Sequence, residues 1–259
     1  MPRLFIFGLG YSASRIAAAV AARGWEIVST GSEGTLRFDD AGSVRLALAD
    51  SRHVLSSVPP GGDGRDPVLA TYGDAVRGKG LCYLSSTGVY GDVEGAWVDE
   101  SAPVGAGRRT ARARCDAEWL ALGARVLRLP GIYGPGRSAF ERLRAGAAHR
   151  IDLPDHVFSR VHVDDIVTGA LAALDAPPGA YNLADDLPCG QNAVVEEAAR
   201  LLGMPAPPPL TLDEARLTPA ALGFYAESRR VANGKAKRVL GWRPRYPTCR
   251  EGLRALLTR

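Results

Sequence analysis

The sequence predicts an α/β protein with a doubly wound parallel sheet and a small C-terminal lobe. Two observations support this fold class. Short apolar stretches typical of buried strands alternate with helical stretches through the first two thirds of the 259 residues. The first apolar stretch ends in a glycine-rich turn that leads directly into a helix. Strands separated by helices in this way join through right-handed crossovers into a parallel sheet.

The first strand, turn and helix form the clearest local pattern. Leu4 to Phe7 is an apolar run, Ser14 to Arg23 is predicted to be helical, and the turn between them is Gly8-Leu9-Gly10-Tyr11-Ser12-Ala13. Gly8 permits a tight turn, Gly10 lets backbone N–H groups approach an anion, and Ala13 keeps the helix close to the strand. The helix N-terminus adds aligned N–H donors. The turn therefore predicts a Rossmann-type dinucleotide site, whereas a plain turn between strand and helix is the alternative.

Five more strands extend the pattern. They are predicted at Glu26 to Thr30, Leu36 to Asp39, His53 to Val58, Leu81 to Ser85 and Arg125 to Leu129. Ligands of doubly wound sheets bind at the carboxyl ends of the strands. This rule places the candidate site at residues 8–10, 57–60, 85–90 and 130–136.

The pattern changes after Gly136, and we predict a domain boundary there. Residues 1–136 form the Rossmann domain, to which residues 157–175 return as a short strand and a helix. Residues 137–156 and 176–259 form a smaller substrate-binding lobe, with a strand at Tyr181 to Leu183 and a helix at Asn192 to Leu202.

Composition argues against several classes of protein. A hydrophobic fraction of 46% and a charged fraction of 23% are ordinary for a soluble globular protein. The net charge of +4 comes without a basic tail, which argues against nucleic-acid binding. No stretch is long and apolar enough to span a membrane, and paired glycines interrupt the N-terminal run that could be mistaken for a signal peptide. We therefore expect a cytoplasmic protein without a membrane partner.

The cysteines and histidines form no disulfide or metal-site pattern. The four cysteines lie far apart without a C-x-x-C pair, at Cys82, Cys115, Cys189 and Cys249. The four histidines lack the spacing of metal ligands. These features predict reduced thiols and no metal.

A run of hydroxyl side chains follows the strand at Leu81 to Ser85. It is Ser85-Ser86-Thr87-Gly88-Val89-Tyr90-Gly91. Hydroxyls at the end of a central strand can hydrogen-bond a substrate oxygen beside a nicotinamide ring, or they can cap backbone groups in a polar turn. The residues alone favour neither interpretation.

Several stretches, in this order and spacing, resemble a known family. They are the glycine turn, Ser85 to Gly91, Leu127 to Gly136 (LRLPGIYGPG), Val161 to Ile166 (VHVDDI) and Lys235 to Pro244 (KAKRVLGWRP). The chain resembles the extended branch of the short-chain dehydrogenase/reductase superfamily, the NAD-dependent epimerase/dehydratase group, over nearly its whole length. The resemblance implies bound NAD or NADP and a cleft between sheet and C-terminal lobe. It also implies hydride transfer on a small polar or nucleotide-sugar-like substrate.

The resemblance also assigns residues to roles. Ser86 occupies the position of the family's catalytic Ser or Thr. The resemblance also places a set of side chains against the dinucleotide, in addition to the glycine turn and Thr30. They are Asp39, Ser57, Val58, Pro59, Ser85 and Pro130. Because members of this branch often dimerise, a homodimer is an expectation of the resemblance alone.

The chain departs from the family at its proton-transfer pair, Tyr-x-x-x-Lys. Counting back from Glu118 places Arg114 at the lysine and Thr110 at the tyrosine. A threonine hydroxyl is too weak an acid for proton transfer. Arg114 can still hold a ribose through hydrogen bonds, since it keeps its charge and its donors.

A second departure is Gly131, which replaces a substrate-contacting Asn of the family. The chain is therefore similar to the atypical subgroup of the superfamily. Tyr90 and Tyr133 lie at strand ends and could act as the acid, although each could equally be a packed aromatic side chain with a hydrogen-bonded hydroxyl.

Arginines near the site add two hypotheses. Arg108 and Arg112 share one helix face and could clamp a phosphate or carboxylate, or could belong to a solvated surface. The second strand ends without an acid for a ribose 2′-OH, and Arg15 and Arg37 are close in sequence, which favours NADP over NAD. The favoured hypothesis is an NAD(P)-dependent oxidoreductase that acts on a small molecule carrying a phosphate or carboxylate. The alternative is a non-catalytic NAD(P)-binding redox sensor.

Overall fold

A central sheet of six parallel strands organises the computed structural model, which describes residues 1–258. In this part of the chain the strands are β1 (Arg3–Phe7), β2 (Glu26–Thr30), β3 (His53–Ser56), β4 (Gly80–Ser86), β5 (Trp97–Val98), β6 (Arg125–Leu129), β7 (Gly131–Tyr133), β8 (Arg150–Ile151), β9 (Arg160–His162), β10 (Gly179–Asn182), β11 (Pro209–Leu210) and β12 (Arg230–Val231). The helices are α1 (Tyr11–Ala21), α2 (Ala41–Ala49), α3 (Pro67–Val76), α4 (Thr110–Ala121), α5 (Ala139–Arg144), α6 (Val163–Ala173), α7 (Gln191–Leu202), α8 (Pro219–Tyr225), α9 (Gly234–Val239) and α10 (Cys249–Leu257), and one turn of 3₁₀ helix covers Thr87–Tyr90.

The strand order reverses between β1 and β3. Across the sheet the order is β10-β6-β4-β3-β1-β2, so the chain runs outward to β2 and then returns to the other side of β1. Phe5 of β1 is paired with Val28 on one side and with Val54 on the other. In doubly wound sheets, the crevice at such a reversal binds ligands at the carboxyl ends of the strands.

Helices cover both faces of the sheet. Leu4 and Ile6 of β1 pack with α1 and α6, whereas Phe5 and Phe7 pack with α2, α3 and α4. All four side chains are fully buried. Because successive side chains of a strand alternate between the two faces, a strand that is buried on both faces needs an uninterrupted apolar run.

A buried carboxylate joins α3 to α4. Asp66 precedes α3, and its Oδ1 accepts hydrogen bonds from the backbone N–H groups of Val68 and Leu69. Its Oδ2 accepts a hydrogen bond from Nε1 of Trp119 on α4, 2.7 Å away. One side chain therefore begins α3 and fixes α4 against it.

The C-terminal lobe combines short strand pairs with three packed helices. β5 pairs with β12, β7 with β9, and β8 with β11. α5, α7 and α10 pack around the apolar side chains of Phe140, Leu143, Val195 and Leu253.

The predicted fold class is confirmed, but the strand predicted at Leu36 to Asp39 is wrong. Leu36 forms only an isolated bridge with Thr30. The Thr35 side chain exchanges hydrogen bonds with the backbone of Ser29, and Asp40 already caps α2 through the N–H of Ser43. The backbone turns directly after Leu36, because the N–H of Asp40 donates to the carbonyl oxygen of Arg37 and the N–H of Ala41 donates to that of Asp39, so no strand continues.

The predicted division into domains also needs a correction. The strand predicted at Tyr181 to Leu183 is present as β10, but it pairs with β6 at the edge of the main sheet. Residues 179–182 therefore lie in the sheet, whereas the prediction placed them in the smaller lobe.

Candidate functional site

The glycine turn lies at the reversal of strand order. Gly8 has a φ of 82°, a left-handed conformation that favours glycine. Its N–H and that of Leu9 both donate to the carbonyl oxygen of Thr30, which closes the turn against β2. A Cβ atom on Gly8 would lie 2.9 Å from Oγ of Ser57 and 3.2 Å from Cγ2 of Val58, so the turn packs directly on the loop after β3. Pro59 is the exposed next residue of that loop.

The N-terminus of α1 borders open space. Gly10 precedes the helix, and no side chain caps the first N–H groups. A Cβ atom on Gly10 would meet no atom within 4 Å, whereas Ser12 and Ala13 are buried below it. These features fit a phosphate group at the helix N-terminus. The Tyr11 hydroxyl points away from this position and donates to the carbonyl oxygen of Pro135, 3.1 Å away.

The arginines that favoured NADP each have a partner within the chain. Arg15 donates to the carbonyl oxygen of Tyr11 at 2.7 Å and stacks on that ring. Arg37 forms a bidentate pair with Asp39, one of the predicted dinucleotide contacts, and both side chains are largely exposed. Exposed pairs of this kind contribute at most about 1 kcal/mol, so a ligand phosphate can displace the carboxylate.

A cavity of about 710 Å³ separates the carboxyl end of the sheet from the C-terminal lobe. Its walls come from residues 85–88 and 129–133 and from α4, α5, α8 and α10. We call it the central cavity. Its volume lies within the usual range for small-molecule sites.

The two serines at the end of β4 have different partners. Ser86 lines the central cavity, and its Oγ accepts a hydrogen bond from the N–H of Gly88 at 3.1 Å. Ser85 also lines the cavity, but its hydroxyl donates to Oδ2 of the fully buried Asp116 at 2.7 Å. Pro130 contributes to the neighbouring wall. Ser86 thus combines both interpretations of the hydroxyl run, because it caps a turn and faces the cavity.

The two candidate tyrosines occupy different environments. Tyr90 is buried away from the cavity lining, donates to Asn182 at 2.8 Å and accepts from Arg128 at 3.0 Å. Tyr133 lines the cavity, and its buried hydroxyl has no hydrogen-bond partner within residues 1–258. Burial raises the pKa of both phenols. Tyr133 is therefore protonated at neutral pH, and it lines the cavity with its hydroxyl packed against Gly252 of α10, whereas the structure does not bring Tyr90 there.

Helix α4 presents Arg112 to the central cavity. Arg114 is exposed and packs against Gly64 in the loop before α3. Arg112 lines the cavity, where it donates to the Tyr83 hydroxyl at 2.7 Å, and the buried Asp116 follows four residues later. The structure thus places Arg112 where the sequence analysis expected Arg114.

Positive charge dominates the cavity wall. The charged side chains that line it comprise two glutamates, Glu141 and Glu227, and seven arginines, Arg108, Arg109, Arg112, Arg137, Arg142, Arg160 and Arg229. We call Arg108, Arg109, Arg112 and Arg229 the arginine cluster. Within it, Glu227 pairs with Arg108 at 3.4 Å and with Arg229 at 2.7 Å. Burial, together with the neighbouring Arg108 and Arg112, lowers the pKa of Arg109. A bound anion would relieve this repulsion.

Glu227 and Arg229 were not predicted from the sequence. Both follow α8, more than 100 residues beyond the end of α4, and no local pattern links them to Arg108. Arg229 also donates to the carbonyl oxygen of Gly91, which attaches the segment after α8 to the turn after β4.

No group of three or more His, Cys, Asp or Glu side chains within residues 1–258 is arranged to hold a metal ion. In the same part of the chain, none of the helices has the length and hydropathy needed to cross a bilayer.

No protein-family model matches the chain. A solved structure from Silicibacter pomeroyi, described as a functionally unknown conserved protein, is 39% identical, has a TM-score of 0.88 and covers 100% of this chain and 99% of its own. The chain belongs to the same family as that protein. A Streptomyces protein, 3-diazoavenalumate denitrifying reductase, is 38% identical over 141 residues, which is 49% of this chain but only 45% of the reductase. Protein YeeZ of Escherichia coli K12 is 29% identical over 80% of this chain and 86% of its own.

More distant structures define the fold. The human epimerase family protein SDR39U1, solved with NADPH, has a TM-score of 0.78 at 16% identity and covers 99% of each chain. UDP-glucose 4-epimerase of Thermotoga maritima, solved with UDP-glucose, has a TM-score of 0.79 at 17% identity and covers 99% of this chain and 97% of its own. The fold is therefore that of the NAD-dependent epimerase/dehydratase group, which confirms the predicted resemblance at the level of the fold. The roles of the individual site residues stay predictions.

Proposed function

We propose that the chain is an NAD(P)-dependent oxidoreductase that transfers a hydride to or from a small organic anion in the central cavity. The observation that carries this proposal is the arginine cluster beside Ser86. The cluster contains four guanidinium groups, and the carboxylate that accompanies them in the cavity wall is Glu227, which pairs with Arg108 and Arg229. Charge that is not balanced within the protein favours an anionic substrate.

The glycine turn supports dinucleotide binding. The uncapped start of α1 and the open space at Gly10 fit a pyrophosphate. Structures of the same fold were solved with NADPH or UDP-glucose, and a Streptomyces relative that is 38% identical over 49% of this chain is named 3-diazoavenalumate denitrifying reductase. These comparisons support the proposed cofactor and reaction type.

We propose NADP as the preferred cofactor because Arg37 can exchange Asp39 for a ribose 2′-phosphate. Titration of the native chain and of Arg37→Met with NADPH and NADH tests this choice. We expect the variant to bind NADPH about 10-fold more weakly, from the loss of one charge-assisted hydrogen bond, and NADH equally well. Arg45→Met is the matched control, since Arg45 lies in a similar exposed pair with Asp74. An equal loss for both nucleotides in Arg37→Met would contradict the preference.

The chain's own residues supply binding, orientation and charge. The bound nicotinamide would supply or accept the hydride. Ser86 and the arginine cluster would orient the substrate at the end of β4, and their donors would stabilise negative charge that develops on it. Tyr133, which also lines the cavity, would donate a hydrogen bond or a proton. This arrangement would replace the tyrosine–lysine pair that the sequence lacks.

The test is oxidation of NADPH in the presence of a substrate panel. The panel contains nucleotide sugars, aromatic and aliphatic carboxylates, and neutral carbonyl compounds of matched size. We expect turnover with anionic members and a KM raised about 10- to 100-fold in Arg109→Met and Arg112→Met, because each loses a charge-assisted hydrogen bond of about 1.5–3 kcal/mol. Arg200→Met is the control, since Arg200 is an exposed residue of α7 paired with Glu197.

Two outcomes would count against the proposal. Turnover with neutral substrates only, at a KM that both variants leave unchanged, would remove the role of the arginine cluster. Tight nucleotide binding without turnover of any panel member would favour the non-catalytic redox sensor.

A further inference from the structure

We propose that Cys189 and Cys249 are a redox-active pair of thiols, which a hydroperoxide oxidises to a disulfide in the wall of the central cavity. The two residues are 60 positions apart, yet their sulfur atoms lie 3.6 Å from each other. Cys189 follows β10 in the loop before α7, and Cys249 is the first residue of α10. Both are free thiols.

The surroundings of the pair distinguish the two sulfur atoms. Arg160 is buried, and its NH1 group lies 3.3 Å from the sulfur of Cys189 and 2.9 Å from the carbonyl oxygen of the same residue. Arg160 therefore holds a positive charge beside one sulfur of the pair.

These contacts shift the pKa values of the two thiols in opposite directions. The hydrogen bond from the Cys249 thiol, helped by the charge of Arg160, lowers the pKa of Cys189, whereas the same hydrogen bond and burial raise the pKa of Cys249. Cys189 is thus the nucleophilic thiolate and Cys249 the thiol that resolves its oxidised form.

The pair adjoins the central cavity. Cys249 and Arg160 line the cavity, whereas Cys189 lies outside its lining and is partly exposed. By contrast, Cys82 and Cys115 are buried among apolar side chains of the sheet, where burial raises the pKa to about 12 for Cys82 and about 11 for Cys115. These two thiols are built-in comparisons of low reactivity.

The reaction balances with the hydroperoxide as the oxidant. The Cys189 thiolate takes the terminal oxygen, so that an S–O bond forms, the O–O bond breaks, and the leaving alkoxide or hydroxide takes up a proton. Cys249 then loses its proton and attacks the sulfenic sulfur, so that the S–S bond forms, the S–O bond breaks, and the released hydroxide leaves as water. The two thiols together lose two electrons, and the hydroperoxide that accepts them is reduced to water and either an alcohol or a second water.

The disulfide would fasten the loop before α7 to the start of α10. The sulfur atoms must approach from 3.6 Å to about 2.05 Å. Closing a loop of this length restricts the unfolded chain and raises the melting temperature. Disulfide formation also removes the negative charge of the Cys189 thiolate beside Arg160, so the net charge of the cavity wall becomes more positive.

The experiment exposes the native full-length chain to hydrogen peroxide and maps its peptides without reduction. We expect one cross-linked peptide that joins Cys189 to Cys249, with the loss of two hydrogen atoms, reversal by dithiothreitol and a raised melting temperature. Cys249→Ser should stop at the sulfenic acid of Cys189, which dimedone traps, and Cys189→Ser should leave Cys249 unmodified. Cys82→Ser, the matched control, should cross-link like the native chain.

The native chain alone can overturn the proposal. Oxidation of Cys82 or Cys115 as fast as Cys189, or conversion of Cys189 to the sulfinic acid without a cross-link, would contradict it. Arg160→Gln gives an independent readout, since iodoacetamide should then alkylate Cys189 more slowly at neutral pH. An unchanged alkylation rate would remove the role of Arg160.

Discussion

The buried ion pair between Asp116 and Arg128 supports the end of β4, and its removal gives the sharpest prediction of stability. Asp116 on α4 is completely buried, and Arg128 on β6 is 3% exposed. Asp116 accepts hydrogen bonds from Nε and NH2 of Arg128 at 3.0 and 2.8 Å and from the Ser85 hydroxyl at 2.7 Å. Asp116→Ala would leave a buried guanidinium without its carboxylate and a serine hydroxyl without its acceptor.

The expected loss follows from these contacts. Removal of one partner of a buried ion pair costs about 3–5 kcal/mol, because the remaining charge stays buried. Arg128 keeps its hydrogen bond to the Tyr90 hydroxyl, which favours the lower end of this range. A loss of about 3 kcal/mol would lower the melting temperature by roughly 6–12 °C in a chain of this size.

Urea unfolding of three variants tests this reasoning. Asp74→Ala is the control, since Asp74 belongs to an exposed pair with Arg45 and should lose at most about 1 kcal/mol. Asp116→Leu combined with Arg128→Met removes both charges and should recover most of the loss. If Asp116→Ala loses no more than the control, or if the double variant is as unstable as the single one, the unpaired charge is not the cause.

Three further predictions concern the turn, the cavity and pH. Gly8→Ala should lower the free energy of unfolding by about 1–2 kcal/mol because of its positive φ, and it should also weaken nucleotide binding. Gly24→Ala is the control, since Gly24 has a φ of 80° and open space around its Cβ and should show only the loss of stability. Urea unfolding and binding titrations measure the two effects, and equal nucleotide affinity of the two variants would contradict a role of Gly8 in the site. Tyr133→Phe should leave the free energy of unfolding unchanged within about 1 kcal/mol, because the hydroxyl has no hydrogen-bond partner in the described chain. If the Tyr133 hydroxyl donates the proton, the same variant should lower kcat by about 100-fold. An unchanged kcat would exclude that role. Burial raises the pKa of Asp185 to about 8, far above its unfolded value, so the folded state retains a proton that the unfolded state has lost. The contribution of Asp185 to stability is therefore complete below its unfolded pKa and should fall by about 1 kcal/mol per pH unit as pH rises from 6 to 8. When the free energy of unfolding is measured across that range, its decrease with pH should be shallower in Asp185→Asn than in the native chain. Equal slopes would contradict the raised pKa of Asp185.

The elements that could be predicted are those that depend on local sequence. The apolar run of β1 needs no distant partner to be recognised, because burial on both faces favours apolar residues at successive positions, here Leu4 to Phe7. The glycine turn is equally local, since Gly8 adopts a positive φ and Gly10 faces open space. The alternation of strands and helices was then enough to predict the parallel sheet.

The position of α4 relative to the cavity could not be read from the sequence alone. The side chains that face the interior are Ala113, Cys115, Asp116 and Trp119, and one of them is a carboxylate. A buried acid breaks the apolar pattern, so counting from the exposed Glu118 placed the cavity-facing cation two residues too late. Only the contact of Asp116 with Arg128 on a neighbouring strand reveals the true orientation.

Contacts between distant parts of the chain were also beyond sequence reasoning. Glu227 reaches Arg108 across 119 positions, and Cys189 reaches Cys249 across 60. Such pairs depend on how the C-terminal lobe folds back over the sheet, and no spacing rule encodes that path.

The return of β10 and α6 to the main sheet determines how the molecule can be dissected. A fragment ending at residue 136 would contain the glycine turn but would leave the backbone groups of β6 unpaired along one edge. It would also expose Ile16 and Val20 of α1 to water, because α6 no longer shields that surface. We therefore expect residues 1–136 not to fold on their own, so the proposed nucleotide site should be tested by point substitution in the intact polypeptide.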